Sequence, residues 1–207
     1  MVQKSSIKST DKCNDLNAWL NSRSYSIARL REHYQKGLID PDIADWLISF
    51  NDRCRNIFTT SSCSGRVVLF EGSSLLDKRG ALAYVIYHDP KECHNSICRE
   101  AELLSSRTIR GDRILWASLQ PPIIQLATCE LGVAWRILEC AHSSGFIRSG
   151  VRRSRKHGFI AEIRAYDKLH VLLPAPCEIL RSLCDVLAEY KTRLASLTEC
   201  LTLLCND

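Results

Sequence analysis

The chain has 207 residues, 45% of them hydrophobic, and a net charge of +5. That is enough apolar material for one substantial core, and too little charge to argue for a polyanionic partner unless the cations are clustered. No apolar run approaches the roughly 20 residues that cross a bilayer. The polar start, Met1 to Lys12, lacks a signal peptide's apolar stretch, so neither a membrane nor a secreted location is expected, and a cytoplasmic one is.

Apolar residues Leu16, Trp19, Leu20, Ile27, Leu30 and Tyr34 recur at helical spacing over 15–35, and Gly37 fits the helix end. Asp40-Pro41 predicts a second helix, capped by Asp40 with Pro41 in its first turn, running to about residue 55. Strands are predicted at 57–60, 67–70 and 83–87, with a small-residue loop at 61–65 and an exposed connection at 71–80. A weakly patterned helix follows at 91–106, then strands at 114–119 and 123–128 separated by Pro121-Pro122. A helix over 130–144 ends at Gly145, strands occupy 146–151, 159–164 and 169–172, and 177–204 closes the chain as one long amphipathic helix or two. This order predicts an α+β fold with a mixed, largely antiparallel sheet flanked by helices, N-terminal helices and a long C-terminal helix. A single domain over 1–207 is expected, with 1–12 a flexible tail.

Eleven cysteines are many for this length, and no two have Cys-x-x-Cys spacing. Cys93-His94 with Cys98 lacks a second ligand pair, so no metal site is expected. The preferred reading is reduced thiols acting as small core hydrophobes, although hyperthermophiles do pair such cysteines.

Three places can carry chemistry. In Thr59-Thr60-Ser61-Ser62-Cys63-Ser64-Gly65-Arg66, six hydroxyl or thiol residues end in Gly-Arg. Small side chains let a ligand approach the backbone, and exposed amides and hydroxyls hold carboxylate or phosphate; the alternative is a tight hairpin whose hydroxyls cap its own backbone. Cys63 as a nucleophile would require a nearby base. His88 follows the strand at 83–87 and is either a cleft residue or a surface cap. Arg148, Arg152, Arg153, Arg155 and Lys156 put five permanent cations within ten residues, either a phosphate-tracking patch or a solvated loop. Phe146 and Phe159 beside them fit core positions better than base-stacking ones. Gly-x-Gly-x-x-Gly and Gly-x-x-x-x-Gly-Lys-Ser/Thr signatures are absent.

These segments in this order resemble the tRNA wybutosine-synthesising protein 3 family. The resemblance covers about residues 38–175 and is carried by the Asp40-Pro41 start, the Phe58–Val67 run, the strand ending in His88, Leu115-Trp116-Ala117-Ser118-Leu119-Gln120-Pro121-Pro122-Ile123, and Gly145-Phe146-Ile147-Arg148-Ser149-Gly150-Val151. Gln125 stands where many relatives would have histidine, and 91–110 has no clear counterpart. The resemblance implies a methyltransferase without a Rossmann fold. It would move a methyl group from S-adenosylmethionine to a ring nitrogen of a 4-demethylwyosine-type tricyclic guanosine, 3′ of the anticodon in phenylalanine tRNA. It also implies roles: Ser61, Ser62, Cys63, Ser64, Gly65, Arg66, Ser149 and Gly150 for the cofactor or base pocket, His88 as catalytic base or donor, and the basic run for RNA. A non-catalytic RNA-binding module is the alternative that the basic run alone would support.

Overall fold

The computed structural model describes residues 12–73, 81–106, 113–165 and 168–205. Most of the expected tail and of the 71–80 connection therefore lie outside the described residues, while Lys12, assigned to that tail, forms a bridge with Glu130. The chain divides into two compact units. One takes in the residues up to Cys63, Ile123–Arg164 and Ala195 onward; the other takes in Ser64–Pro122 and Ala165–Leu194.

The first unit holds α1 (Leu16–Gln35), α2 (Ala44–Arg53), β1 (Ile57–Cys63), β5 (Ile123–Thr128), α4 (Leu131–Ser143), β6 (Gly150–Ser154) and β7 (Gly158–Arg164). Its sheet has the order β1-β5-β7-β6, with every pair antiparallel. Strand alternation sorts the residues into two faces. On one, Phe58, Ala127 and Ile160 form a buried cluster with Trp19 of α1. On the other, Ile124, Leu126, Ala161 and Ile163 are buried, and α4, which contacts β5, β6 and β7, covers them. Gly158 has φ +71°, and a Cβ there would lie 2.5 Å from the Thr128 carbonyl; no other residue closes this hairpin without moving backbone.

The second unit contains β2 (Arg66–Gly72), β3 (Leu82–Tyr87), α3 (Pro90–Ser105), β4 (Ile114–Gln120), β8 (Leu169–Leu172) and the first part of α5 (Cys177–Leu204). The sheet order is β3-β2-β4-β8, again antiparallel throughout. Val67, Leu69, Leu115, Ala117 and Leu119 form its buried face. Asp89 caps α3 by accepting from the Lys91 and Glu92 amides, with Pro90 in the first turn.

The α+β expectation holds, with an antiparallel sheet in each unit instead of one shared sheet. Other differences have local causes. The helix expected from Asp40-Pro41 begins at Ala44, because Ile43 N–H donates to the Asp40 carbonyl at 3.2 Å and closes a turn with Pro41 in its second position. The expected loop at 61–65 is mostly strand, since Ser61, Ser62 and Cys63 pair with Gln125, Ile124 and Ile123. Residues 146–149 are not strand: Phe146 N–H donates to the Ala141 carbonyl and Gly145 N–H to that of His142, a Schellman cap that carries buried Phe146 back against α4.

The cysteines also depart from the preferred reading. Ten of them form disulfides: Cys13–Cys129, Cys54–Cys205 and Cys140–Cys200 in the first unit, Cys93–Cys184 and Cys98–Cys177 in the second. Partners lie 60 to 151 residues apart, so only the folded topology reveals them. Closing even a 60-residue loop restricts the unfolded chain by about 4 kcal/mol in the chain-entropy model. Denatured without reductant, the chain should therefore titrate one thiol, Cys63, and reduction should lower its melting temperature by well over 10 °C. Several titratable thiols, or a melting point indifferent to reductant, would refute the pairing.

Candidate functional site

The hydroxyl-rich run begins in a rigid setting. Asn51, buried at the end of α2, donates to the Leu47 carbonyl at 2.7 Å and to Thr59 Oγ1 at 2.8 Å, while its oxygen accepts from Thr59 N–H at 2.9 Å. Arg23 of α1 donates to the Asn51 and Cys54 carbonyls, satisfying the open end of α2. A register irregularity between Thr59 and Ser61 then resets the strand.

From there Ser61 lies opposite Gln125, Gln125 opposite Glu162, and Glu162 opposite Gly150. Directly opposed residues share a face in antiparallel sheets, so Ser61 and Gly150, 89 positions apart in the chain, fall in one polar row. Gln125 Nε2 donates to Glu162 Oε2 at 2.8 Å, and Arg164 pairs with Glu162 at 3.4 Å. Ser149 Oγ donates to the Phe146 carbonyl at 2.7 Å and lies 3.4 Å from the Arg164 amide that points to it. Gln125 thus supplies an amide donor where histidine was expected. Glu162 was not singled out from sequence; only its charge in a strand of mostly buried residues sets it apart.

The division between units falls inside the run, between Cys63 and Ser64. Ser64 and Gly65 are buried. Lys191 of α5 donates to the Ser64 carbonyl at 3.0 Å, Ser64 Oγ at 2.9 Å and the Gly65 carbonyl at 2.8 Å. Here the loop turns oxygens toward a cation and not, as the sequence suggested, amides toward an anion. Gly65 has φ +82°, and a Cβ would meet Pro122 at 2.9 Å. Lys191 carried no sequence signal; it is one polar residue on an amphipathic helix.

Arg66 starts β2 and donates through Nε to Gln120 Oε1 at 3.0 Å. It lines a cavity of about 210 Å³ with Val68, Phe70, Ser118, Gln120 and His170. The buried Ser118 hydroxyl has no hydrogen-bond partner among the described residues. His88 lies half-buried just past β3; the register that pairs Val67 with Tyr87 makes Arg66 and His88 the next residues outward on neighbouring strands.

The basic run forms the β6–β7 hairpin with the residues leading into it. Arg148, Arg152, Arg153, Arg155 and Lys156 are all exposed. Arg153 is engaged within the fold: it donates to the Lys12 carbonyl and Asn14 Oδ1 and lies 5.5 Å from the Phe159 ring centroid. Phe146 and Phe159 are buried, as their strand and cap positions require. His157, at the hairpin's end, pairs with Ser22 Oγ at 2.5 Å. Burial, then the Arg152 and Lys156 charges, push its pKa below the ordinary 6.5. A depressed histidine favours the folded state above its unfolded pKa, and that contribution is lost as pH falls through the folded value. Wild type should therefore lose stability on acidification below about pH 6.5 more steeply than His157→Gln, measured as melting temperature against pH; identical profiles would contradict the assignment.

Comparison with known proteins gives this geometry a context. The chain is 26% identical over 201 residues to the tRNA(Phe) 7-((3-amino-3-carboxypropyl)-4-demethylwyosine(37)-N(4))-methyltransferase of Saccharolobus solfataricus, covering 91% of this chain and 92% of the relative. It is 31% identical over 139 residues to a Pyrococcus furiosus enzyme of the same name, numbered 1, covering 67% of each. Among solved structures, the PH1069 protein of Pyrococcus horikoshii superposes with a TM-score of 0.77 at 25% identity, covering 89% of this chain and 96% of that one. The family model described as methyltransferase TYW3 matches residues 20–203, a span that includes both sheets. The chain belongs to the TYW3 methyltransferase family.

Proposed function

We propose that this protein is a tRNA methyltransferase of wybutosine biosynthesis that methylates a ring nitrogen of a 4-demethylwyosine-type guanosine in phenylalanine tRNA, with S-adenosylmethionine as donor. The observation that carries this reading is the family match across residues 20–203, joined by relatives named for that reaction. The match spans both units, which supports treating them as one functional domain. Among the described residues no helix is long and apolar enough to cross a membrane. A cytoplasmic location belongs to the same proposal, and internal disulfides in cytoplasmic proteins have precedent in hyperthermophiles.

The residues suit the donor. The 210 Å³ cavity of the second unit joins apolar Val68 and Phe70 to the Arg66 guanidinium and to a Ser118 hydroxyl that has no hydrogen-bond partner among the described residues. Arg66 is assigned to the carboxylate of the methionine moiety, which a planar guanidinium holds bidentately. S-adenosylmethionine, when bound, supplies a methyl already activated on sulfur, so the protein's task is alignment more than covalent help. Ser64 and Gly65, held by Lys191, position Arg66. His88 is assigned to receive the proton released by the substrate nitrogen. In the first unit Ser61, Ser62, Cys63, Ser149 and Gly150 remain the residues of the cofactor-or-base pocket, with Gln125 and Glu162 supplying a donor and acceptors in the same row. The exposed cations Arg148, Arg152, Arg155 and Lys156 are assigned to anticodon-loop phosphates, while Arg153 supports the hairpin.

Incubation with labelled S-adenosylmethionine and tRNA from a strain lacking this protein should yield the methylated tricyclic nucleoside by mass spectrometry. Arg66→Ala should weaken cofactor binding by calorimetry at least tenfold, in line with the loss of a charge-assisted contact. Cys63→Ser should keep most activity; its abolition with the fold intact would instead favour a thiolate nucleophile. Replacing Arg152, Arg155 and Lys156 together with alanine should weaken tRNA binding and reduce its log–log salt slope by roughly 2 to 3, since each lost phosphate contact removes about 0.9. An unaltered slope would remove the hairpin from the RNA surface.

A further inference from the structure

The first unit contains a second, larger cavity, of which the assignments above use only Ser61 and Ser62 of β1. It measures about 520 Å³, within the range of small-molecule sites. Tyr25, Arg29 and His33 of α1, spaced four residues apart and so stacked on one helical stripe, form one wall. The Thr60, Ser61 and Ser62 segment of β1 forms another, Leu30, Leu38, Ile39 and Leu47 supply apolar surface, and His157 closes one side.

We infer that this cavity seats an RNA nucleotide, with Arg29 and His33 receiving its phosphate, Tyr25 stacking on its base and the β1 hydroxyls meeting the base edge. The inference rests on the reading of the chain as a tRNA-modifying enzyme and adds a site to it.

Charge is the first argument. Among the described residues no Asp or Glu lines the cavity, whereas the permanent cation Arg29 does, with the imidazoles of His33 and His157 beside it in the lining. Arg31, two residues along the same helix, is paired with Asp52; Arg29 makes no ion pair among the described residues and is exposed. A sulfonium cofactor with an ammonium group carries net positive charge and is disfavoured in such a lining, while a phosphate is favoured.

Continuity is the second argument. His157 is the last residue of the basic run and a wall of the cavity at once, and the Arg152 and Lys156 charges act on its ring. A phosphate backbone following the hairpin is therefore led to the cavity inside a single unit.

The third argument is the aromatic wall. Tyr25 is 68% exposed, too far out to serve the core, yet fixed on a rigid helix. An aromatic ring beside a cationic groove is how single-stranded RNA bases are held out of their stack, and losing one such platform weakens binding roughly tenfold. The Thr60, Ser61 and Ser62 hydroxyls of the same lining offer both donors and acceptors to a base edge.

The test uses the full-length protein, guanosine monophosphate and an anticodon-arm RNA hairpin. Tyr25 and Arg29 are exposed, so alanine there should leave the melting temperature within a few degrees; Arg29→Lys keeps the charge should Arg29→Ala unfold. Wild type should bind the nucleotide saturably. Arg29→Ala should weaken hairpin affinity about tenfold and lower the salt slope by about 1, with partial recovery in Arg29→Lys. Tyr25→Ala should weaken affinity about tenfold and leave the slope alone. S-adenosylmethionine affinity should stay at the wild-type value in each. Wild-type hairpin affinity in both alanine variants, or a loss confined to S-adenosylmethionine binding, would overturn the inference. Methylation of tRNA is assayed in parallel. A wild type that methylates nothing yet binds nucleotide through Arg29 would sink the enzymatic reading and leave the nucleotide site standing.

Discussion

Asn51 uses both ends of its buried amide on Thr59, the third residue of β1, accepting from its amide and donating to its hydroxyl. Buried without those partners the amide would be costly; with them it sets where β1 enters its sheet. Strand side chains alternate, so a slip of one residue would exchange every side chain between the face packed on α1 and the face packed on α4. Phe58 would leave the Trp19 cluster, and Ser61 would leave the row with Gln125, Glu162 and Gly150. The polar row on which much of the proposed chemistry depends thus has its register held by one buried side chain outside the row.

A comparable anchor operates in the second unit. Lys191 converges on three oxygens of Ser64 and Gly65, and Gly65 takes a backbone conformation that other residues resist, against Pro122. Arg66 follows directly and is oriented by Gln120. The eight-residue run is therefore continuous in sequence but divided in labour. Thr59 is locked into a core, Ser61 and Ser62 face a cavity, Ser64 and Gly65 make a turn around a cation, and Arg66 enters another cavity. Each residue type answers a different physical demand, which is why a short stretch reads as distinctive.

The disulfides fit this division. Each of the five joins residues of the same unit, so they stiffen each unit within itself. Cys63, the last residue of its unit's first segment, is the cysteine outside them. A thiol beside the proposed pocket stays chemically distinct from ten that are consumed in structure.

Much of this protein follows from local sequence. Helical periodicity located α1, α4 and α5, and Gly37 and Gly145 marked helix ends because only glycine enters the left-handed cap cheaply. Leu169–Leu172 and Cys177–Leu204 were legible to the residue, and the Thr59–Arg66 run pointed to the family because its residue types are locally unusual. Tertiary structure decided what depends on partners distant in the chain. Ser61–Cys63 looks like a loop because small polar residues favour turns, yet β5 supplies a backbone ladder that outweighs that preference. Cysteine spacing cannot reveal disulfides whose partners are brought together by helices and strands folded from afar. Lys191 and Glu162 carry no local mark at all. Their meaning arises only when α5 brings an ammonium to two carbonyls and when strand pairing sets a carboxylate beside Gln125, because hydrogen bonds and ion pairs act over a few ångströms of space and not along the chain.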